Sequence, residues 1–423
     1  MSVNLFFKNK EKDTSCYPMY SNYDIPEKFE NLTWEYLKNL SHDDFHAIME
    51  EIRVWMLKMY DVYNINTHLT PRTVDEIKLG FKKFASMDVS KYYYSNGIQG
   101  LYGSSNKWTS GINNWFPEML GVEITHSSPK SVIDLLRRKD YYHMSVEKIV
   151  LEDPLKNFKE TPDKPFFRKF RKMLSIARGT QMVTNFPTHV AKWLYIHYLS
   201  NVKDKTLYVY DPCMGWAGRM VSLFAASSHI ALHNKKINLI GTDVNTMVHD
   251  RFEKLYRFWD LYVNSLKNIK VSKYTVPAED MGDVDEFRKL KGKGHLAFTS
   301  PPYFDKELYS QDETQSYIRY KKYPEWRDGF LHGLLKTTYD YLRPGGTFLL
   351  NVANTRPRKD GTFIAPIEND SVEMGEKIGY RYDGKYYLLI SLLAGKGNKI
   401  NKNIITVDGI EWKFEPIHIF TKK

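Results

Sequence analysis

Four short apolar runs, TLYVYD (206–211), INLIGTD (237–243), HLAFTS (295–300) and GTFLLNVA (346–353), each stop at turn-forming residues and are separated by helical stretches. Strands spaced in this way rejoin one sheet through crossover helices, so the pattern predicts βαβ units and a mostly parallel sheet. The chain ends differently. YYLLIS (386–391) and KFEPIHIFTK (413–422) flank a Gly/Lys/Asn-rich connection and read as an antiparallel pair closing the sheet.

Upstream of this region the texture is mainly helical. Ser41 and Asp44 have capping-box-like spacing, and Phe45, Ile48, Met49, Ile52, Trp55, Met56 and Met59 recur with the period of a buried helix face. A second helix is expected from the Thr73…Glu76 pair onward, carrying Ile77, Phe81 and Phe84, and a third from Ser128 with Pro129 at its first position. The stretch from Tyr92 to Pro117, rich in Gly, Ser, Asn, Tyr and Trp, is expected to be a long loop. Pro162 and Pro165 interrupt the helical pattern, which divides the chain into a helical domain (1–165) and an α/β domain (166–423).

Composition narrows the function classes. A chain of 423 residues with 42% hydrophobic and 26% charged residues has the makeup of a globular protein, not of a disordered or collagen-like one. Cys16 and Cys213 form neither a disulfide framework nor a metal knuckle, so a reducing compartment and no bound metal are expected. The start, MSVNLFFKNKEKD, lacks the apolar core of a signal peptide, and no run approaches the roughly 18 apolar residues of a membrane span. A soluble, cytoplasmic protein with no membrane partner is therefore expected. The formal charge of +11 suits a polyanion.

The chemistry concentrates at strand ends. Asp211-Pro212-Cys213-Met214-Gly215-Trp216-Ala217-Gly218-Arg219 follows the first strand, where Gly215 and Gly218 permit a tight turn and close ligand approach, and Asp211 can hold a cationic amino group. Asp243, at the tip of the next strand, is placed to accept both hydroxyls of a ribose. Ala278-Glu279-Asp280 offers carboxylates farther on. Thr299-Ser300-Pro301-Pro302-Tyr303 ends the strand HLAF; its prolines remove two donors and leave carbonyl acceptors, Ser300 adds another, and Tyr303 adds a flat face. Together they suit a planar amine.

The order of DPCMGWAGR, GTD, AED and TSPPY resembles a class I S-adenosylmethionine-dependent methyltransferase of the group that modifies exocyclic amino nitrogens of DNA bases. The resemblance spans about Phe166 to Lys423 and implies a Rossmann-like seven-stranded α/β methyltransferase sheet, S-adenosylmethionine as cofactor, DNA as partner, and a setting such as restriction–modification, with nucleoid association in a bacterium or phage. It also implies that Asp211, Met214, Gly215 and Gly218 hold the methionine moiety, covered by Phe186 and Pro187, and that Asp243 holds the ribose. Glu279 or Asp280 would contact the cofactor adenine, with Thr299 beside the cofactor and Ser300, Pro301, Pro302 and Tyr303 at the target base. The loop departs from many members in carrying Trp216-Ala217, and TSPPY occurs with both adenine N6 and cytosine N4 acceptors. An RNA or protein-amide methyltransferase and a non-catalytic nucleic-acid-binding subunit are the alternatives. Pro212-Cys213 mimics the nucleophile of cytosine-C5 enzymes but sits in the cofactor loop, so thiolate catalysis is not expected.

Lys164, Arg168, Lys169, Arg171, Lys172, Arg178 and Lys192 form an acid-free basic run suited to backbone phosphates, with a solvated helix face as the competing reading. Arg137, Arg138 and Lys139 form a second cluster. FDKELYSQDETQSYIRYKKYPEW (304–326) reads as a loop over the target-base pocket.

Overall fold

A ten-stranded sheet organises the residues that the computed structural model describes, namely 25–65, 67, 73–103, 108–124, 128–152, 166–174, 183–263, 266, 268–357, 363–392 and 403–423. Along the chain the strands are β1 (Tyr93–Tyr94), β2 (Gly100–Tyr102), β3 (Glu123–Ile124), β4 (Thr206–Asp211), β5 (Lys236–Thr242), β6 (Ile269–Tyr274), β7 (Gly294–Thr299), β8 (Glu307–Leu308), β9 (Leu342–Asn351), β10 (Thr355–Pro357), β11 (Phe363–Ala365), β12 (Tyr380–Leu392), β13 (Ile404–Val407) and β14 (Ile410–Lys422). The main sheet runs β1-β2-β12-β14-β9-β7-β4-β5-β6, with β13 added to β14, and β3–β8 and β10–β11 form small separate pairs.

The apolar runs became the parallel heart of this sheet. Val209 of β4 lies opposite Leu239 of β5 and Leu296 of β7, and β6 and β9 continue in the same direction. All six residues of β7 are buried, as a parallel strand covered on both faces requires. The expected antiparallel closure is present, with Ile417 of β14 opposite Asn351 of β9 on one side and Tyr386 of β12 on the other. The α/β fold with a mostly parallel sheet is thus the observed architecture. From β4 the chain builds outward to β5 and β6, then returns to the opposite side of β4 with β7. The strand order reverses there, and the carboxyl ends of β4 and β7 open a crevice.

The helical part is less separate than its sequence suggests. Helix His42–Tyr63 starts at Ser41, whose Oγ accepts from the Asp44 N–H at 3.2 Å, and buries Phe45, Met49, Ile52 and Met56. The Thr73–Glu76 capping box is complete, at 3.2 Å and 2.8 Å. Yet Ile77, Phe81 and Phe84 on helix Val74–Ser86 pack into the core of the sheet, whereas Phe166, Phe167, Phe170 and Leu174 on helix Phe166–Leu174 pack with the N-terminal helices. Pro162 and Pro165 lie outside the described residues, and the apolar faces named here are what assign each helix to its core.

Two further expectations change. The third helix begins at Val132, where the Ser131 hydroxyl caps the Asp134 N–H at 3.0 Å, so Pro129 is not its first residue. The segment from Tyr92 to Pro117 contains β1 and β2, and β2 pairs in parallel with β12 through Leu101 and Leu388.

Candidate active site at the carboxyl ends of the strands

The crevice opens into a cavity of about 760 Å³. Gly215, Asp243, Glu279, Phe186, Pro187, Ser300, Pro301, Pro302 and Tyr303 all line it, although their segments are far apart in sequence. Asp211, Met214, Gly218, Asp280 and Thr299 are not among its lining residues.

The glycine loop sets the floor. Gly215 has φ +56° and a Cβ there would enter open space, so the turn leaves room that any other residue would take. Its N–H donates to Asp243 Oδ2 at 2.8 Å, while the Asn245 N–H donates to Oδ1 at 3.0 Å. Both Asp243 oxygens are therefore held by backbone. Burial nevertheless dominates, pushing the Asp243 carboxyl up to about 6 against the pull of those two donors.

Several roles assigned from sequence belong to the scaffold. Asp211 is buried, takes Arg219 Nε at 2.9 Å and Nη2 at 3.0 Å on its two oxygens, and does not line the cavity. Arg219, which also bonds the Cys213 carbonyl, reaches the cavity instead. Met214 is packed against Gly241, where a Cβ would collide with its sulfur. Gly218 does not line the cavity; its N–H donates to Asn185 Oδ1 at 3.0 Å, and Asn185 Nδ2 continues to Asn113 Oδ1 at 2.6 Å. Thr299 is fully buried and accepts from the Cys213 N–H at 3.1 Å. Cys213 lines the cavity, and burial pushes its thiol well up, which disfavours the thiolate.

Of the paired carboxylates, Glu279 faces the cavity. Burial pushes it up to about 7 even though Arg319 Nη1 lies 2.7 Å away; the same Nη1 is 2.8 Å from Asp280. Arg319 comes from the Tyr-rich segment 304–326, which is ordered around Ser310, Asp312 and Gln315 and contributes Lys306, Glu307, Tyr309 and Gln315 to the wall.

The clamp forms the opposite end. Tyr303 is 8% exposed, its hydroxyl donates to Glu415 Oε2 at 3.5 Å, and Lys306 Nζ lies 5.3 Å from its ring centre. Burial raises the Glu415 carboxyl, with Lys306 and Lys413 opposing it. Phe304, immediately after the clamp, has φ +58°, a strained conformation for a bulky side chain and one that accumulates at functional sites. Its ring is fixed against Tyr323 and Trp326. Asn113, Arg219, Glu307, Arg319, Asn351 and Glu415 had no individual role from sequence, although Arg219 stood in the glycine-loop motif and Glu307 and Arg319 in the segment 304–326 read as a loop over the pocket.

The basic run is divided by the fold. Arg171 is 1% exposed and donates to the Thr67 carbonyl, and Lys192 is 2% exposed with Nζ on the carbonyls of Phe84, Ala85 and Met87, each at 2.8 Å. Neither is exposed to meet a phosphate, which corrects their expected role; Lys192 satisfies carbonyls at the end of helix Val74–Ser86 and Arg171 the Thr67 carbonyl. Arg168, Lys169 and Lys172 lie on helix Phe166–Leu174, with Lys169 half-buried, whereas Lys164 and Arg178 lie outside the described residues. Arg137, Arg138 and Lys139 face Asp61, Asp134 and Glu50 at 2.9, 3.5 and 4.0 Å. Among the described residues no helix is long and apolar enough to cross a membrane.

No protein-family model and no curated protein matches this chain. Among solved structures it is similar to geranyl diphosphate methyltransferase in complex with SAM (14% identity, TM-score 0.33, covering 56% of this chain and 86% of that one). It is also similar to the YcgJ protein from Bacillus subtilis (13%, TM-score 0.34, 56% and 99%). A third is a TehB-like SAM-dependent methyltransferase from Corynebacterium glutamicum (11%, TM-score 0.29, 55% and 88%). Likenesses this distant decide nothing about what the chain binds or acts on.

Proposed function

We propose that the protein is an S-adenosylmethionine-dependent methyltransferase acting on an exocyclic amino nitrogen of a DNA base. The observation that carries this reading is the meeting, in one cavity, of Gly215 and Asp243 with the Ser300-Pro301-Pro302-Tyr303 turn. The residues fit the cofactor. Gly215 turns at positive φ with open space beside it, Asp243 presents a carboxylate oriented by two backbone donors and suited to ribose hydroxyls, and Glu279 lines the same cavity as a partner for an adenine amino group. Asp211 does not line the cavity and braces the glycine loop through Arg219. When bound, S-adenosylmethionine supplies an electrophilic sulfonium methyl group.

The protein's part is to hold the amine and keep it dry. Pro301 and Pro302 have no N–H, so the turn offers acceptors without competing donors, and an amine bonded through its hydrogens keeps its nitrogen lone pair directed outward. Tyr303 gives a face on which a planar base can stack, and the Tyr303–Glu415 contact holds that ring to β14. Glu415, raised by burial, can hold a proton at Oε2 on the same side of the cavity. Lys306, Glu307, Tyr309, Thr314, Gln315 and Ser316 line one wall of the cavity. The charge of +11 favours a nucleic-acid substrate.

Digestion of DNA from cells expressing the protein, followed by mass spectrometry of the nucleosides, tests the proposal. Expression of the parent should yield N6-methyladenine or N4-methylcytosine, and Tyr303→Ala should remove it. Methylated RNA or protein with unmodified DNA would transfer the reading to those substrates, and no methyl transfer to any of them would point to a silent binding subunit.

A further inference from the structure

Away from the cavity, two helices bring metal-ligating side chains together. His42 and His46, one turn apart on helix His42–Tyr63, share a face. Opposite them His143 and Glu147, also one turn apart, lie on helix Lys139–Glu147. His46 Nε2 is 3.1 Å from His42 Nε2 and 2.7 Å from Glu147 Oε1, and His42 Nε2 is 3.3 Å from that same oxygen. In a tetrahedral zinc site with ligand distances of about 2.0 to 2.1 Å, neighbouring donor atoms stand about 3.3 Å apart. Two edges of the triangle already have that length, and the third needs to open by only about half an ångström to match it.

The surrounding hydrogen bonds orient the rings. Arg53 grips both oxygens of Glu50, at 2.8 and 2.7 Å. His143 Nε2 faces Glu50 Oε2 at 3.2 Å, and its Nδ1 meets His46 Nδ1. That contact leaves His46 Nε2 turned toward Glu147 Oε1. His42 repeats the orientation, with Nδ1 toward Asp43 Oδ1 at 3.6 Å and Nε2 inward. Two imidazole nitrogens and one carboxylate oxygen therefore converge within reach of a single cation.

We propose that His42, His46 and Glu147 bind one divalent first-row transition ion of the zinc class. Two imidazoles and a carboxylate select such ions over magnesium or calcium. The His46–His143–Glu50–Arg53 chain is the outer shell that fixes the ring of a ligating histidine. His42 has a side chain 73% exposed, which gives the ion an entry path and leaves a fourth position to water. The ion would tie together two helices whose ligands lie 101 positions apart in the chain. A cysteine-based search of the sequence has no means of finding them.

The test uses the full chain, stripped with a chelator and equilibrated with zinc alone, then with cobalt for its visible absorption. One equivalent of zinc should bind and raise the thermal unfolding midpoint, and cobalt should give the bands of a four-coordinate site. His42→Asn and Glu147→Gln, both at solvent-accessible positions, should each weaken binding at least tenfold, and His143→Ala by about 10- to 100-fold. Circular dichroism establishes that each variant is folded. A parent that retains no zinc, in which case the cluster shares only protons, or His42 and Glu147 variants that bind zinc like the parent, would overturn the assignment.

Discussion

The two ends of the cavity are built in different ways. At the β4–β5 end each acidic group has donors supplied by its own neighbourhood: Asp211 by Arg219 eight residues on, and Asp243 by the N–H groups of Gly215 and Asn245. At the β7–β14 end Tyr303 leans on Glu415 and stands beside Lys306, while Asn113 and Leu388 enter from opposite ends of the chain. The first end is a preformed cradle fixed largely by backbone, suited to one invariant ligand. The second depends on side chains from separate elements, which is how a site acquires a particular substrate without altering the cradle.

The largest effect that can separate the two ends is on folding. Arg219→Leu leaves Asp211 charged and buried, and should destabilise the protein by about 3 to 5 kcal/mol in denaturant unfolding. A change under 1 kcal/mol would mean that the pair is not the internal brace of the cradle. Tyr303→Ala also removes a buried ring and should destabilise by about 3 kcal/mol or more, so its rate is read where the variant is folded; there methyl transfer to DNA should slow by the equivalent of about 1 to 3 kcal/mol through loss of the stacking face. Parent-like single-turnover rates in that variant would remove the clamp from the account. The smallest effect is a titration. Asp243, with its carboxyl near 6, is ionised above that pH and protonated below it, so S-adenosylmethionine affinity should be full in mildly alkaline solution and fall as pH drops through 6. One pH unit below, the loss should be roughly tenfold, or about 1.4 kcal/mol. Asp243→Asn should bind weakly and with no such dependence.

The cradle was legible in the sequence because its parts are local. TLYVYD became β4 with the same limits, Thr206–Asp211, and the turn after it needs a glycine at Gly215, where φ is positive. Asp243 was legible because a strand tip next to that turn has few directions to point. Roles that depend on which side chain meets which were not legible, even inside one motif. Asp211 looks like a ligand group until Arg219 is seen on both its oxygens, and Lys192 looks like a phosphate contact until its Nζ is seen on three carbonyls at the end of helix Val74–Ser86. Glu415 and Asn113 reach the cavity only through β14 pairing and the turn Ser110–Trp115, contacts between distant segments that no local pattern encodes. The same holds for the boundary at 165: prolines mark breaks in periodicity, whereas cores are divided by where Phe81 and Phe167 find apolar partners.

Calorimetric titration of the purified parent, Asp243→Ala and Tyr303→Ala with S-adenosylmethionine tests most directly whether one cavity serves these two jobs. The parent should bind one molecule; Asp243→Ala should lose about 2 kcal/mol or more of affinity, as for a charged hydrogen-bond acceptor. Tyr303→Ala should bind like the parent. A parent that does not bind the cofactor, or a Tyr303→Ala variant that loses as much affinity as Asp243→Ala, would contradict the division of the cavity into a cofactor cradle and an amine clamp.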